Sequence, residues 1–367
     1  MYVRSWKHFD FVLLFLTLLL IAYGLAMIHS ATYQTQGPET VDPLVYRQLA
    51  SAAAGLALFA LLAMVDYHLF GGLAGPIYVF ALGLLTVVLV VGQASHGAQR
   101  WINLGFFPLQ PSEPAKLAVI LALSKFVADR EDEMRRLRNV VLSLAIVAVP
   151  TLLTFAQPDL GTALVFVAIW LSIAVVGRIR WRYLGLLMLG AILSTRFAWQ
   201  VLQEYQRRRL LIFLNPAQDP LGEGYNIIQA QISVGSGELW GRGFLSGTQS
   251  QLHFLRVQYA DFIFSVLAEE LGFVGAMVLL ALFAGLAMRG MRVAATTREP
   301  FGRLLATGVV TVIAFQVFVN VGMNTTLLPA TGIPLPFISF GGSSLISSLM
   351  GLGLVESIAM RRKRFEP

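Results

Sequence analysis

A chain of 367 residues that is 56% hydrophobic and 13% charged, with a mean hydropathy of +0.70, is too apolar for a water-soluble domain, which gives about a quarter of its residues to Asp, Glu, Lys and Arg. Zero cysteines exclude disulfides, thiolate nucleophiles and cysteine-held metal centres, and five scattered histidines without HxxxH or HxH pairing argue against a zinc or haem site. The net charge of +7 would suggest a polyanion partner in a soluble protein, but in a membrane protein basic residues first report topology, so no nucleic-acid partner is expected.

A membrane span needs about 20 mostly apolar residues, and a lipid-exposed span must be helical to satisfy its own backbone. Ten runs meet this description in chain order: 11–28, 45–65, 73–91, 115–127, 140–155, 160–176, 183–201, 262–288, 304–322 and 338–358. The fourth is short. The first reads as a span and not a cleavable signal, because it is long, lacks a small-residue cleavage site and is followed by further spans. The expectation is an all-α polytopic membrane protein with ten transmembrane helices, forming a single domain over 1–367.

Connector 202–261, between spans seven and eight, is too long to be structureless and predicts helices of its own. Within it, "GYNIIQAQISVGSGELWGRG" reads as an interfacial helix followed by a glycine-rich turn. Connectors 92–114 and 323–337 are also rich in Gly and Pro.

Lys and Arg placement orients the chain. One set of connectors carries Arg4 and Lys7, then Lys125, Arg130, Arg135, Arg136 and Arg138, then Arg178, Arg180 and Arg182, then Arg289, Arg292, Arg298 and Arg303, and finally the tail from Arg361 to Arg364. The alternate short connectors hold only Arg47, Arg100 and Lys116. Both termini are therefore expected in the cytoplasm, with the long loop extracytoplasmic and chemistry facing outward.

An ionised side chain near mid-bilayer costs about 2.5–3.5 kcal/mol on the insertion scale, so each asks for a partner or a wet cavity. Glu113 and Lys116 share a helix face at i, i+3. Asp159 lies in "AQPDLGT" between two spans, Asp261 opens "DFIFSVLAEELG", and Glu269 and Glu270 follow in the same run. Each also has a structural reading. Glu113 with Lys116 can be an ion pair within the fold, Asp159 and Asp261 can cap helices, and Glu269 or Glu270 can hydrogen-bond a neighbouring helix. Periodicity and charge leave a polytopic protein with an outward-facing polar site, transporter or enzyme.

Five segments carry a resemblance: "GAQRWINLGFFPLQPSEPAKLAVILALSKF", "AQPDLGTALVF", "DPLGEGYNIIQAQISVGSGELWGRGFLSGTQSQLHFL", "DFIFSVLAEELGFVG" and "LPATGIPLPFISFGGSSLISSLMGLGLV". Together, in order over about 92–358, they resemble the SEDS family of bacterial shape, elongation, division and sporulation proteins, and the rod-shape (RodA) branch more than the division branch. The resemblance implies a ten-span peptidoglycan glycosyltransferase that polymerises lipid II into glycan strands during cell elongation, working with a class B penicillin-binding protein in the cytoplasmic (inner) membrane. It implies Asp261 as the catalytic aspartate, with Arg100, Glu113, Lys116 and Asp159 as substrate-binding residues, and a divalent cation, Mg or Mn, for which the sequence shows no ligand cluster. One stretch departs from the family pattern. Where many relatives carry a Pro-Glu and a His-Thr pair, "FLRVQYADF" has Arg256, Val257, Tyr259 and Ala260, so no glutamate role carries over to 257.

Joining a sugar C4 hydroxyl to C1 of a second lipid-linked disaccharide needs a base for the hydroxyl proton, and Asp261 is the expected one. Cations must meet the departing pyrophosphate, with Arg100, Lys116 and Arg207 to Arg209 as candidates and Glu113 setting the position of Lys116. Gly332, Pro334, Pro336 and Gly341 to Ser344 read either as a cavity wall or as small-residue helix packing. The rival classes are a lipid II flippase and a non-enzymatic scaffold.

Overall fold

The computed structural model describes residues 8–33, 41–95, 98–103, 108–202, 204–216, 219, 222–252, 254–255 and 257–361. Each of the ten apolar runs falls on a helix: α1 (Phe11–Thr32), α2 (Pro43–Met64), α3 (Tyr67–Val91), α4 (Ser112–Ala128), α5 (Leu137–Ala156), α6 (Leu160–Val176), α7 (Trp181–Val201) and, beyond the long connector, α11 (Ile263–Thr296), α12 (Pro300–Asn324) and α13 (Gly342–Arg361). The connector holds α8 (Glu204–Leu214), α9 (Glu223–Ser236) and the single turn α10 (Thr248–Gln251). Among the described residues seven helices, α1, α2, α3, α5, α11, α12 and α13, are long and apolar enough to cross a membrane, and α6 is a shorter apolar helix. The chain is a multi-pass membrane protein.

Helix starts follow from acidic caps. Asp10, Asp42, Asp66, Asp159 and Glu299 each accept a backbone N–H from the first turn of the helix they precede, satisfying donors that have no partner within the helix. Pro43 and Pro300 sit in the first turn, where a missing N–H costs nothing. In α12 and α13, 72% and 83% of the most apolar stretch is buried in the protein, against 22–39% for the other five long helices, so these two form the centre of the bundle.

Side chains tie the helix ends into two sets. At one end Arg289 meets Asp10 at 2.7 Å, the Asp10 N–H donates to Glu356 at 2.7 Å, Ser357 Oγ donates to the Val65 carbonyl, and Arg303 meets Glu131 at 2.8 Å. At the other, Gln48 donates to the Ser339 carbonyl, Ser30 to Glu270, Gln258 to the Ala31 carbonyl, and Arg100 reaches Asp159.

Two segments differ from their sequence reading. Part of the 92–114 connector folds as a three-stranded antiparallel sheet, β1 (Gln93–Ser95), β2 (Ala98–Asn103) and β3 (Pro108–Leu109), in that spatial order. The last apolar run enters its helix only at Gly342, because residues 331–340 form a non-helical segment whose Ile333, Leu335, Phe337 and Ile338 are buried.

Helix α11 is broken at Gly272, whose φ of +65° is left-handed. The turn 238–243 fills the break. Phe273 and Val274 donate their N–H groups to the carbonyls of Glu238 and Leu239, while the carbonyls of Glu269 and Glu270 accept from Arg242 and Gly243. The helix ladder is thus spliced through the long connector, which supplies partners for these four groups. A Cβ on Gly272 would lie 2.3 Å from the nitrogen of Gly241, and one on Gly241 would lie 2.1 Å from the Glu270 carbonyl, so the splice requires glycine on both sides.

Candidate active site

Asp261 is partly exposed and lies in a turn just before α11. The N-cap position of that helix falls one residue later, on Phe262, whose side chain makes no capping bond. Because residues 258–261 belong to neither helix nor sheet, their carbonyls need outside donors. The Tyr259 carbonyl accepts from the Phe340 N–H at 2.9 Å, that of Ala260 from Ser339 Oγ at 2.7 Å, and that of Asp261 from the side-chain amides of Asn324 at 3.0 Å and Asn320 at 3.3 Å. The 331–340 segment also forms the wall beside the carboxylate, since a Cβ added to Gly332 would lie 3.8 Å from Asp261 Oδ2.

Arg100 projects from β2, so the sheet that the sequence did not reveal is what places it. Its guanidinium donates to the carbonyls of Gln157 and Pro158, just past the end of α5, and lies 3.8 Å from Asp159 Oδ1. A cation there completes carbonyls at the negative end of a helix dipole. Asp159 caps α6, accepting from the Thr162 N–H at 3.1 Å and Thr162 Oγ1 at 2.9 Å. The start of α6 in turn packs on the wall segment, because a Cβ on Gly161 would come within 3.0 Å of the Thr331 carbonyl. Arg100 and Asp159 are therefore together, and they adjoin the segment that touches Asp261.

Glu113 and Lys116 form a separate pair. They lie 2.8 Å apart on the first turns of α4, at 2% and 3% exposure, and border a narrow cleft between α4, α12 and α13. Gln316, Ser347 and Ser348 line the same cleft. Neither Nε2 nor Oε1 of Gln316, 1% exposed, finds a hydrogen-bond partner among the described residues. Its amide can therefore meet a polar group that enters.

Glu269 and Glu270, both fully buried, fasten the long connector. Glu269 accepts from the N–H groups of Gln249 and Ser250 at the start of α10, and Glu270 from Ser30 of α1 at 2.6 Å and the Leu245 N–H at 3.3 Å. Of the basic candidates on α8, Arg208 pairs with Asp219 at 2.9 Å and Arg207 donates to the Gln200 carbonyl at 2.7 Å. Arg256 lies outside the described residues, and Val257 has a left-handed φ of +54°.

Sequence reading missed Gln316, Asn320 and Asn324. Their signal was available: three amides at i, i+4 and i+8 share one face of an apolar helix, and polar side chains inside spans mark functional interiors.

Residues 11–364 match the FtsW/RodA/SpoVE family of cell cycle proteins. The chain is 41% identical over 357 residues to the peptidoglycan glycosyltransferase MrdB of Escherichia coli (strain K12), covering 97% of this chain and 95% of that one. It is 37% identical to the stage V sporulation protein E of Bacillus subtilis (strain 168), covering 95% and 96%. Among solved structures, a chain from a study of how a peptidoglycan synthase complex coordinates polymerization and crosslinking superposes with a TM-score of 0.83 at 35% identity, over 98% of this chain and 100% of that one. The rod shape determining protein RodA of Thermus thermophilus superposes with a TM-score of 0.73 at 32% identity, over 98% and 99%. With matching segments running from α1 past α13, this chain belongs to the FtsW/RodA/SpoVE (SEDS) family.

Proposed function

We propose that this chain is a peptidoglycan glycosyltransferase that polymerises lipid II into glycan strands for cell elongation and rod shape. It crosses the bacterial cytoplasmic membrane ten times, with both termini cytoplasmic and Asp261 at the outer end. The observation that carries the site assignment is the partly exposed Asp261, set against the exposed Gly332 of a non-helical wall and at the end of the long outer loop.

In the reaction, Asp261 takes the proton from the acceptor C4 hydroxyl as its oxygen bonds to C1 of the donor sugar. The C1–oxygen bond to the polyprenyl pyrophosphate breaks and its electron pair leaves with the phosphate. A positioned base contributes about 10²–10⁴-fold. Arg100, beside Asp159, is the cation we assign to the sugar-phosphate, and Lys116, held by Glu113, directs the Gln316 cleft toward an anionic or hydroxyl-bearing group.

Among the described residues no three His, Asp or Glu side chains converge as a metal site. A divalent cation, Mg²⁺ or Mn²⁺, would be held largely by the substrate's own phosphate groups and would supply positive charge for the departing pyrophosphate. EDTA is expected to stop polymerisation while leaving the melting temperature unchanged. The crosslinking partner we propose is a class B penicillin-binding protein.

The test is polymerisation of lipid II by the purified protein, with and without that partner, wild type against Asp261→Asn. Loss of polymer with an unchanged melting temperature is expected. Undiminished polymer from Asp261→Asn refutes the base assignment, and transbilayer movement of labelled lipid II without polymer would instead identify a transporter.

A further inference from the structure

Resting on the reading of Asp261 as the base, a second question is what holds that carboxylate in place. A base must stay within hydrogen-bond reach of one hydroxyl, and a misplacement of about 1 Å can cost about 10²-fold in rate. Asp261 sits in a turn, where neither a helical ladder nor a sheet fixes it.

The fixing groups come from the end of α12. Asn324 uses both sides of its amide. Its Nδ2 donates to the Asp261 carbonyl at 3.0 Å, and its Oδ1 accepts from the Ser265 N–H at 3.3 Å and Ser265 Oγ at 2.7 Å. Ser265 is the third residue of α11, the position an N-cap side chain ordinarily serves; the Phe262 side chain offers no cap, and the Ser265 N–H is shared between the Phe262 carbonyl at 3.0 Å and Asn324 Oδ1. Asn324 thus caps α11 from another helix while gripping the residue before its cap. Asn320, one turn earlier, donates from Nδ2 to the Asp261 carbonyl at 3.3 Å and to the Ile333 carbonyl at 2.8 Å. It therefore ties the base to the wall turn whose Gly332 faces the base's own carboxylate. The two amides also bond each other, Asn324 Nδ2 donating to Asn320 Oδ1 at 3.3 Å as well as to the Asn320 main-chain carbonyl at 2.9 Å, and both side chains are fully buried.

We infer that Asn320 and Asn324 are positioning residues for the glycosyl transfer: a two-amide clamp that sets the main chain at Asp261 and the turn at Gly332–Ile333 in one fixed registry. Neither side chain needs to touch substrate. Their effect is on the reaction step and not on substrate affinity, because only the transition state requires the base at a defined distance.

The experiment measures initial rates of lipid II polymerisation against lipid II concentration for Asn320→Ser and Asn324→Ser. A serine hydroxyl is too short to span the same gaps but keeps the site polar. Ser143→Ala is the control: it removes a fully buried hydroxyl that accepts from Trp170 at 3.1 Å, far from α12 in sequence and without a bond to the clamp. The expected result is a 10- to 100-fold fall in kcat per folded molecule for each asparagine variant, with KM within about threefold of wild type, and no change in kcat for Ser143→Ala. Asn320→Leu and Asn324→Leu, which match the side-chain size without its donors, are expected to show the same split and stand in where a serine variant does not fold. Wild-type kcat in the folded variants overturns the clamp, as does a rise in KM that accounts for the whole loss. If Asp261→Asn is inactive while the asparagine variants are fully active, the clamp fails alone; full activity of Asp261→Asn removes the base assignment itself.

Discussion

At the end of the bundle where α1 begins, charged side chains are bound to one another. Asp10 caps α1 and holds Arg289 at 2.7 Å, Glu131 holds Arg303 at 2.8 Å, and Asp66 caps α3 beside His68 at 2.7 Å and Arg361 at 3.9 Å. At the opposite end Arg100 pairs with Asp159, but the main chain at Asp261 is held by neutral amides and hydroxyls: Asn320, Asn324 and Ser339 close the carbonyls of 260 and 261, and Gln48 bridges Ser339 and Gly341. Mutual charge pairing satisfies the first set within the fold. Neutral donors around Asp261 fix its backbone through its main-chain carbonyl.

The largest effect that would break this contrast concerns the two aspartates. Asp261→Asn is expected to lower kcat by about 10²–10⁴-fold with the melting temperature unchanged. Asp10→Ala, which removes a cap, is expected to cost about 1–2 kcal/mol of stability with kcat per folded molecule intact. If Asp10→Ala lost kcat and Asp261→Asn lost stability instead, the two ends would have been assigned the wrong way round.

The buried Glu113–Lys116 pair combines both types. Glu113→Gln leaves an ammonium buried without its carboxylate and should cost about 3–5 kcal/mol, whereas the double change with Lys116→Met should recover much of it in a thermal melt. Gln316→Leu sharpens the picture from the other direction. Replacing an amide whose polar atoms are unbonded by an apolar side chain of similar shape should raise stability by about 1–3 kcal/mol and raise KM for lipid II, and a stability gain without any kinetic cost would remove the cleft from the substrate path.

The smallest effect is a pH dependence. Burial pushes the Asp66 carboxyl up, but the His68 N–H, the His68 ring and the nearby Arg361 together outweigh it and hold the group below the usual carboxylate range. A depressed folded-state value means stabilisation that is present above the ordinary aspartate range, about 4, and lost as pH falls through the lower folded value. The stability difference between wild type and Asp66→Asn, measured by melts across acidic pH, should therefore shrink toward zero on acidification. A gap that widens would reverse the sign.

Helices were readable because a lipid-facing backbone must satisfy itself locally, so apolar run length reports them directly. Asp159 as a cap and Glu113 with Lys116 as an i, i+3 pair were readable for the same reason, since their partners lie three residues away. The strands around Arg100 were not: three, six and two residues long, among glycines and prolines, they carry no pattern of their own. Nor was the splice at Gly272, in which residues 238–243 and 269–274 exchange hydrogen bonds.

By itself the sequence determined a polytopic helical chain, its basic connectors, its family motifs and Asp261 as the residue to watch, because length, hydropathy and short-range spacing are local quantities. Only the tertiary structure decided what surrounds that aspartate. The amides that grip its main chain lie 59 and 63 residues away and the wall beside its carboxylate comes from the 331–340 segment, and contacts across that separation are fixed by how α11, α12 and that segment pack, not by any periodicity along the chain.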